Sequence, residues 1–418
     1  MLDVDLLREQ FAALNQVIDG RTPIFLDGPG GTQVPQRVVD AMVRYLTTCN
    51  ANHGGAFATS RTSDAILHEA HAGMADFLNA PSADEIVFGA NMTTLALHLS
   101  RALAQVLKPG DEVMVSRLDH DANVSPWVHA AKASGAIVRW IDFHPEDGTL
   151  NLEDARKLLG PRTRWVAVGL ASNAVGTINE AATIARWAKE VGAWVFMDAV
   201  HFAPHGPIDV QALGCDFLAC SGYKFFGPHV GILWGKRMLL EDWPACKLRP
   251  VPERLPDRWM TGTQNHEGLA GLVATLDYLA EIGAGNLNHV DSFPGMSGRR
   301  RDLHVAMAVI QAHEQELSRR LLEGLHARPR FKVLGLADPA QVRERVPTVS
   351  LTCADYTPLQ LAEHLAERQI FAWNGNMYAL ELSERLGLEP QGFLRLGLVH
   401  YNSFHEIDLT LEALDAIE

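Results

Sequence analysis

From residue 84 the chain alternates short apolar runs with longer amphipathic ones. EIVFG, EVMVS, IVRWIDF, RWVAVGLAS, WVFMDAV, FLACSG and VGILWG are rich in apolar, β-branched and aromatic residues. Runs of this length and continuity read as strands buried on both faces. Between several of them the period changes to that of a helix. Leu95, Leu99, Ala102, Leu103 and Val106 form one stripe of a helix that ends by about residue 107, at KPGD. INEAATIARWAKEVG has the same period. Strands alternating with helices predict an α/β fold, a mainly parallel seven-stranded sheet covered on both faces. Ligands of such sheets bind beyond the carboxyl ends of the strands.

The flanks read differently. Residues 2–18 have the pattern of an amphipathic helix. PIFLDGPGGTQVP is a strand followed by a turn, where Gly28, Gly30 and Gly31 let backbone approach something closely. A helix at about 35–48 and a small, polar, loop-like segment at 50–64 follow. Near 285–300 the pattern breaks in GNLNHVDSFPGMSGRRRD, where Arg299–Arg301 read as a solvated helix start. A helix over 302–328 comes next, then strands near FKVLGL, TVSLTCA, IFAWNG and FLRLGLV. A capping box, Ser403 to Glu406, opens the last helix. These features divide the chain into a large domain, 20–285, and a smaller α+β domain, 286–418, with the N-terminal helix 1–19 packed on the latter.

Composition narrows the partners. The 418 residues hold 36 basic and 50 acidic side chains, a net charge of −14. That balance argues against a nucleic-acid partner, which needs a basic footprint. Five cysteines, at 49, 215, 220, 246 and 353, show no metal or redox spacing and fit a reduced, cytoplasmic protein. The N-terminus lacks the basic and apolar regions of a secretory signal, and no apolar run is long enough to span a membrane.

The chemistry centres on CSGYKFFGPHVGILWG, residues 220–235. Lys224 follows one strand, and Asp198 ends an earlier one in WVFMDAVHF. A pyridoxal phosphate enzyme needs this pairing. The lysine forms a Schiff base with the cofactor, and the acid keeps the pyridine nitrogen protonated so that the ring accepts electrons. The start of the helix after EIVFGANMTT offers unpaired N–H groups to an anion.

FLDGPGG, FGANMTT, LDHDANVSPW, LASNAVGTIN, VFMDAVHFAPHGPIDV, CDFLACSGYKFFGPHVGILWG, TGTQN and LRLGLVHYNSFHEID occur in that order. As an ordered set they resemble the class V, fold type I pyridoxal phosphate enzymes, most closely the SUF-type cysteine desulfurases and their relatives. The resemblance covers nearly the whole chain. It implies that Lys224 is the Schiff-base lysine and moves the Cα proton, and that Asp198 pairs with the pyridine nitrogen. It implies that His120 stacks on the cofactor ring. Thr93, Ser221 and the backbone near Met92 match groups that hold the phosphate. Asn173 matches a residue near the ring hydroxyl and the substrate carboxylate, with Gly30 beside the substrate. Arg395 matches the clamp on the α-carboxylate. Thr263 matches a threonine that reaches the phosphate of a neighbouring subunit, so a homodimer with shared active sites is expected.

The departures from the family pattern are as informative. Tyr378 stands where the desulfurases place the persulfide cysteine, and Trp373 where they have an arginine. Tyr223 replaces a phosphate-binding histidine, His201 replaces a glutamine, and His53-Gly54-Gly55 lacks the arginine of the family's HRG. Cys353 reads as a buried core thiol at the end of a strand. Trp373, Asn374 and Tyr378 are then expected at the side-chain end of the substrate site. The cofactor apparatus is kept and the sulfur relay is not. The expected activity is therefore Cα deprotonation of an α-amino acid, a small-molecule substrate, followed by β-elimination of sulfur or selenium without a protein persulfide. Transamination, epimerisation and a non-catalytic partner role are the alternatives.

Overall fold

The computed structural model describes residues 2–286 and 291–417. Residues 287–290, within the polar stretch where the sequence places a domain boundary, lie outside the described residues. The seven apolar runs form one sheet in the order Ile86–Gly89, Gly231–Gly235, Phe217–Ser221, Trp194–Asp198, Thr163–Gly169, Glu112–Ser116, Ile137–Ile141. Gly231–Gly235 runs antiparallel to both neighbours, and every other pairing is parallel. Alternate residues face opposite layers. Trp165 and Ala167 enter one core with the helix Met92–Val106, while Val166 and Val168 enter the other with the helices Ala58–Phe77 and His266–Ala284. Burial on both faces explains why these strands carry no polar alternation.

A second, four-stranded antiparallel sheet has the order Phe331–Leu334, Thr348–Cys353, Phe393–Gly397, Trp373–Gly375. The IFAWNG run divides between two partners. Ile370–Phe371 pairs in parallel with Ile24–Phe25, and Trp373–Gly375 pairs with Phe393–Gly397. Residues 24–25 thus pair with the C-terminal region rather than with the main sheet. The capping box of Ser403 and Glu406 is formed. Among the described residues no helix is long and apolar enough to cross a membrane.

Three local expectations are corrected. Residues 2–18 are not one helix but a short one, Val4–Arg8, and a 3-10 turn, Ala12–Asn15. Phe11 between them is extended and fully buried, its ring 5.2–6.4 Å from those of Tyr401, Tyr278, His400 and Phe226. Burying that ring outweighs continuing the helix. The 50–64 loop ends early, because Ala58–Phe77 is a helix. Its serines supply the misleading polarity: Ser60 and Ser63 donate to the loop carbonyls of Asn52 and Ala51 at 2.6 and 2.7 Å. Finally, Arg299–Arg301 is not a solvated helix start. The helix Gly298–His326 begins four residues earlier than its apolar pattern indicated. Arg299 and Arg300 both donate to Asp76, at 2.9 and 3.2 Å, and Arg300 also donates to the Ala80 carbonyl at 2.9 Å, tying this helix to Ala58–Phe77.

Helices His266–Ala284 and Gly298–His326 meet where a glycine is required. A Cβ on Gly283 would overlap the backbone carbonyl of Asp302. Gly283→Ala is expected to lower the unfolding free energy by about 1–3 kcal/mol in urea denaturation. Gly160→Ala, where an added Cβ meets nothing within 4 Å, is expected to change it by less than about 0.5 kcal/mol.

Candidate active site

The carboxyl ends of five parallel strands open onto one cavity of about 460 Å³. After Gly89 the helix Met92–Val106 starts, and Met92 and Thr93 line the cavity. The connection after Ser116 delivers His120, that after Gly169 delivers Asn173, and Trp194–Asp198 ends on Asp198 with His201 just beyond. Ser221 ends its strand, and Tyr223 and Lys224 follow in a 3-10 turn. Gly30 from the glycine-rich turn, Trp373, Asn374 and Tyr378 from the hairpin segment, and Arg395 from Phe393–Gly397 complete the wall. Thr263 lies elsewhere, exposed in the loop before helix His266–Ala284 and outside this chain's cavity.

Burial dominates the electrostatics. The Lys224 amine donates to the Pro29 carbonyl and sits 4.9 Å above the Tyr223 ring. Burial and the nearby Arg395 charge push its pKa down to about 7, with Asp198 pulling the other way. Burial raises Asp198 to about 6, opposed by the Val200 N–H at 2.8 Å and by Lys224. Burial lowers His120 to about 4, and Lys224 and Arg395 add to the effect. His120 is therefore neutral, its Nδ1 accepting from the Ala122 N–H at 3.0 Å. His201 is likewise held neutral by burial, with Nε2 2.9 Å from the Thr348 hydroxyl. Arg395 is 5% exposed and donates through Nη1 to the Asn173 carbonyl at 2.8 Å. Its Nε and the Asn173 Oδ1 are buried without partners.

Ser221 Oγ accepts the Met92 N–H at 3.1 Å, which places the hydroxyl at the positive end of a 15-residue helix. The Tyr378 ring lies parallel to His120, 5.4 Å between centroids and 20° between planes. Among the described residues no cysteine lines the cavity. Cys353 is half-buried at the end of its strand rather than fully buried, which corrects the sequence reading. Asp119 and Met377 are among the lining residues that escaped that reading. Asp119 accepts the Gly169 N–H at 2.7 Å and is pushed up to about 7 by burial and by the charge of Asp198. The LDHDAN motif held its only signal, an acid beside the histidine, which looks like ordinary loop polarity. Met377 was hidden inside the hairpin segment.

A half-buried lysine and a buried acid, at or just after the ends of neighbouring parallel strands and beside a helix start, define a pyridoxal phosphate-dependent enzyme. The family model for class-V aminotransferases matches residues 24–291 and 303–410, and the chain belongs to that family. It is 30% identical to a probable cysteine desulfurase of Streptomyces coelicolor over 440 residues, spanning 100% of this chain and 97% of that protein. It is 32% identical to an aminotransferase-like protein of Gibberella zeae, spanning 99% of this chain and 98% of that protein. A solved apo cysteine desulfurase from Thermococcus onnurineus superposes with a TM-score of 0.86 at 26% identity, over 99% of this chain and 98% of that one.

Only an unprotonated amine attacks a carbonyl, so a pKa near 7 makes Lys224 reactive at neutral pH. Trapping propanal on the cofactor-free protein with cyanoborohydride should label Lys224 ahead of every other lysine at pH 7. Its rate should level off just above pH 7, and Arg395→Gln should move that plateau upward. Peptide mass mapping reads the outcome; labelling no faster than that of exposed lysines would contradict it.

Proposed function

We propose that the chain binds pyridoxal phosphate in this cavity and eliminates a sulfur or selenium substituent from Cβ of an α-amino acid without a protein persulfide. One observation carries the reading: Lys224, Asp198 and an incompletely satisfied Arg395 share a cavity that, among the described residues, no cysteine lines. The residues fit the cofactor. Asp198 is a buried acid able to face a ring cation, Ser221 and the helix start at Met92 suit a phosphate, and Asn173 Oδ1 is a free acceptor. A buried donor without an acceptor costs about 1–3 kcal/mol, and a substrate carboxylate on Arg395 Nε removes that cost.

Pyridoxal phosphate, when bound, supplies an electron sink for the pair left by a departing Cα proton. Arg395 holds the carboxylate and so orients the Cα–H bond. Lys224 Nζ takes the proton and, with a pKa near neutrality, can return it. His120 stays neutral and so contributes a ring face rather than a charge. The Cβ–S bond breaks with its electron pair on sulfur, and the thiolate leaves and is protonated. Water then hydrolyses the released unsaturated amino acid. In sum, an S-substituted cysteine plus water gives thiol, pyruvate and ammonia. Thr263, exposed and outside the lining of its own cavity, is assigned to the cavity of a second subunit, and the protein to a reducing, cytoplasmic setting.

With S-substituted cysteines the enzyme should release thiol and pyruvate in equal amounts. Lys224→Ala should lower that rate by about 10²–10⁴-fold, and the double variant Cys246→Ser, Cys353→Ser should retain it. Alanine in place of pyruvate, or a loss of activity in the cysteine double variant, would contradict the proposal.

A further inference from the structure

The hairpin segment at the cavity mouth is built unlike a mobile thiol carrier. Met377 and Tyr378 both adopt left-handed backbone, φ +56° and +57°, which non-glycine residues avoid. Three hydrogen bonds hold them there. The Asp121 N–H donates to the Tyr378 carbonyl at 2.8 Å, Asn173 Nδ2 donates to the Met377 carbonyl at 2.8 Å, and the Tyr378 N–H donates to Asn376 Oδ1 at 3.1 Å. These bonds fix the backbone from which the Tyr378 side chain projects, and its ring stacks on His120. Trp373 is fixed from the other side. Its indole lies so close to Gly30 that a Cβ there would overlap it.

Trp373 and Arg395 are direct partners in antiparallel register, so they project from the same face of their sheet. A substrate held by its carboxylate on Arg395 therefore has Trp373 as its neighbour. Trp373 is 50% exposed and Tyr378 73% exposed, large rings left open at the rim. Between them the lining is Asn374, Gly375, Asn376 and Met377, with no charge. The rings and the thioether favour a flat, apolar group, and the segment carries no cation to pair with a free thiolate or an anionic substituent.

We infer that the preferred substrate is a cysteine thioether whose sulfur carries an uncharged aromatic group, held by Trp373 and Tyr378. This rests on the elimination reading above and specifies its leaving group. S-phenylcysteine and S-methylcysteine are the probes. The kcat/KM for the phenyl compound should exceed that for the methyl compound by about tenfold or more. Tyr378→Ala and Trp373→Ala should each lower this ratio about tenfold, while Tyr378→Phe, which keeps the ring, should preserve it. Equal kcat/KM values for the two compounds overturn the inference. So does a Tyr378→Phe ratio as low as that of Tyr378→Ala, because the hydroxyl rather than the ring would then be responsible. Calorimetric titration of both compounds into cofactor-loaded Lys224→Ala protein separates recognition from chemistry. Tighter phenyl binding supports the inference even if the native enzyme releases no pyruvate, an outcome that sinks the elimination reading alone. Equal binding overturns the inference.

Discussion

The structure depends on withdrawing Lys224 and Asp198 together from bulk water at one end of a parallel sheet, the acid buried and the lysine half-buried. Each would be fully charged in water at neutral pH, and burial weakens both charges, taking the lysine down to about 7 and the acid up to about 6. Their recorded hydrogen bonds go to backbone, Pro29 for the lysine and Val200 for the acid. Both side chains are therefore left to serve something placed between them. Two strands with carboxyl ends at the same edge hold them in place: Asp198 pairs with Ala219, two residues before the end of the strand that leads to Lys224.

That geometry explains how the rest of the chain is used. The main sheet supplies the lysine, the acid, the histidines and the anion-seeking helix start. The second sheet supplies Arg395 and Trp373 as cross-strand neighbours, and the turn at Gly28–Gly30 closes between them. Gly397 carries no side chain because a Cβ there would overlap the Pro29 ring, so the turn packs directly on the second sheet beside the site. Within that frame the segment 373–378 forms the outer wall of the cavity. It keeps its place but carries two aromatic rings, and its backbone is tied to Asp121 and Asn173.

The sheet and the lysine–acid pair at its edge were legible because doubly buried strands leave uninterrupted apolar runs, and because Asp198 and Lys224 sit at or just after the ends of such runs. The remainder was less so for physical reasons. Ser60 and Ser63 look like loop residues, yet they fasten a helix to the loop before it. Arg299 and Arg300 look solvated, yet they converge on Asp76 from another helix, a pairing between residues over 200 positions apart. Phe11 breaks a helix whose pattern is sound because a distant aromatic cluster takes its ring. Asp119 matters through its depth beside Asp198, which its own motif does not reveal.

The most direct test of the central claim is a visible absorption titration of the cofactor-free protein with pyridoxal phosphate at pH 7, run on the native chain, Lys224→Ala and Asp198→Asn. Lys224 and Asp198 acting as one site predict a band that saturates at one cofactor per chain. Lys224→Ala should abolish the native band, and Asp198→Asn should shift it and weaken binding. A native chain with no saturable band, or one whose band survives unchanged in Lys224→Ala, would contradict the account.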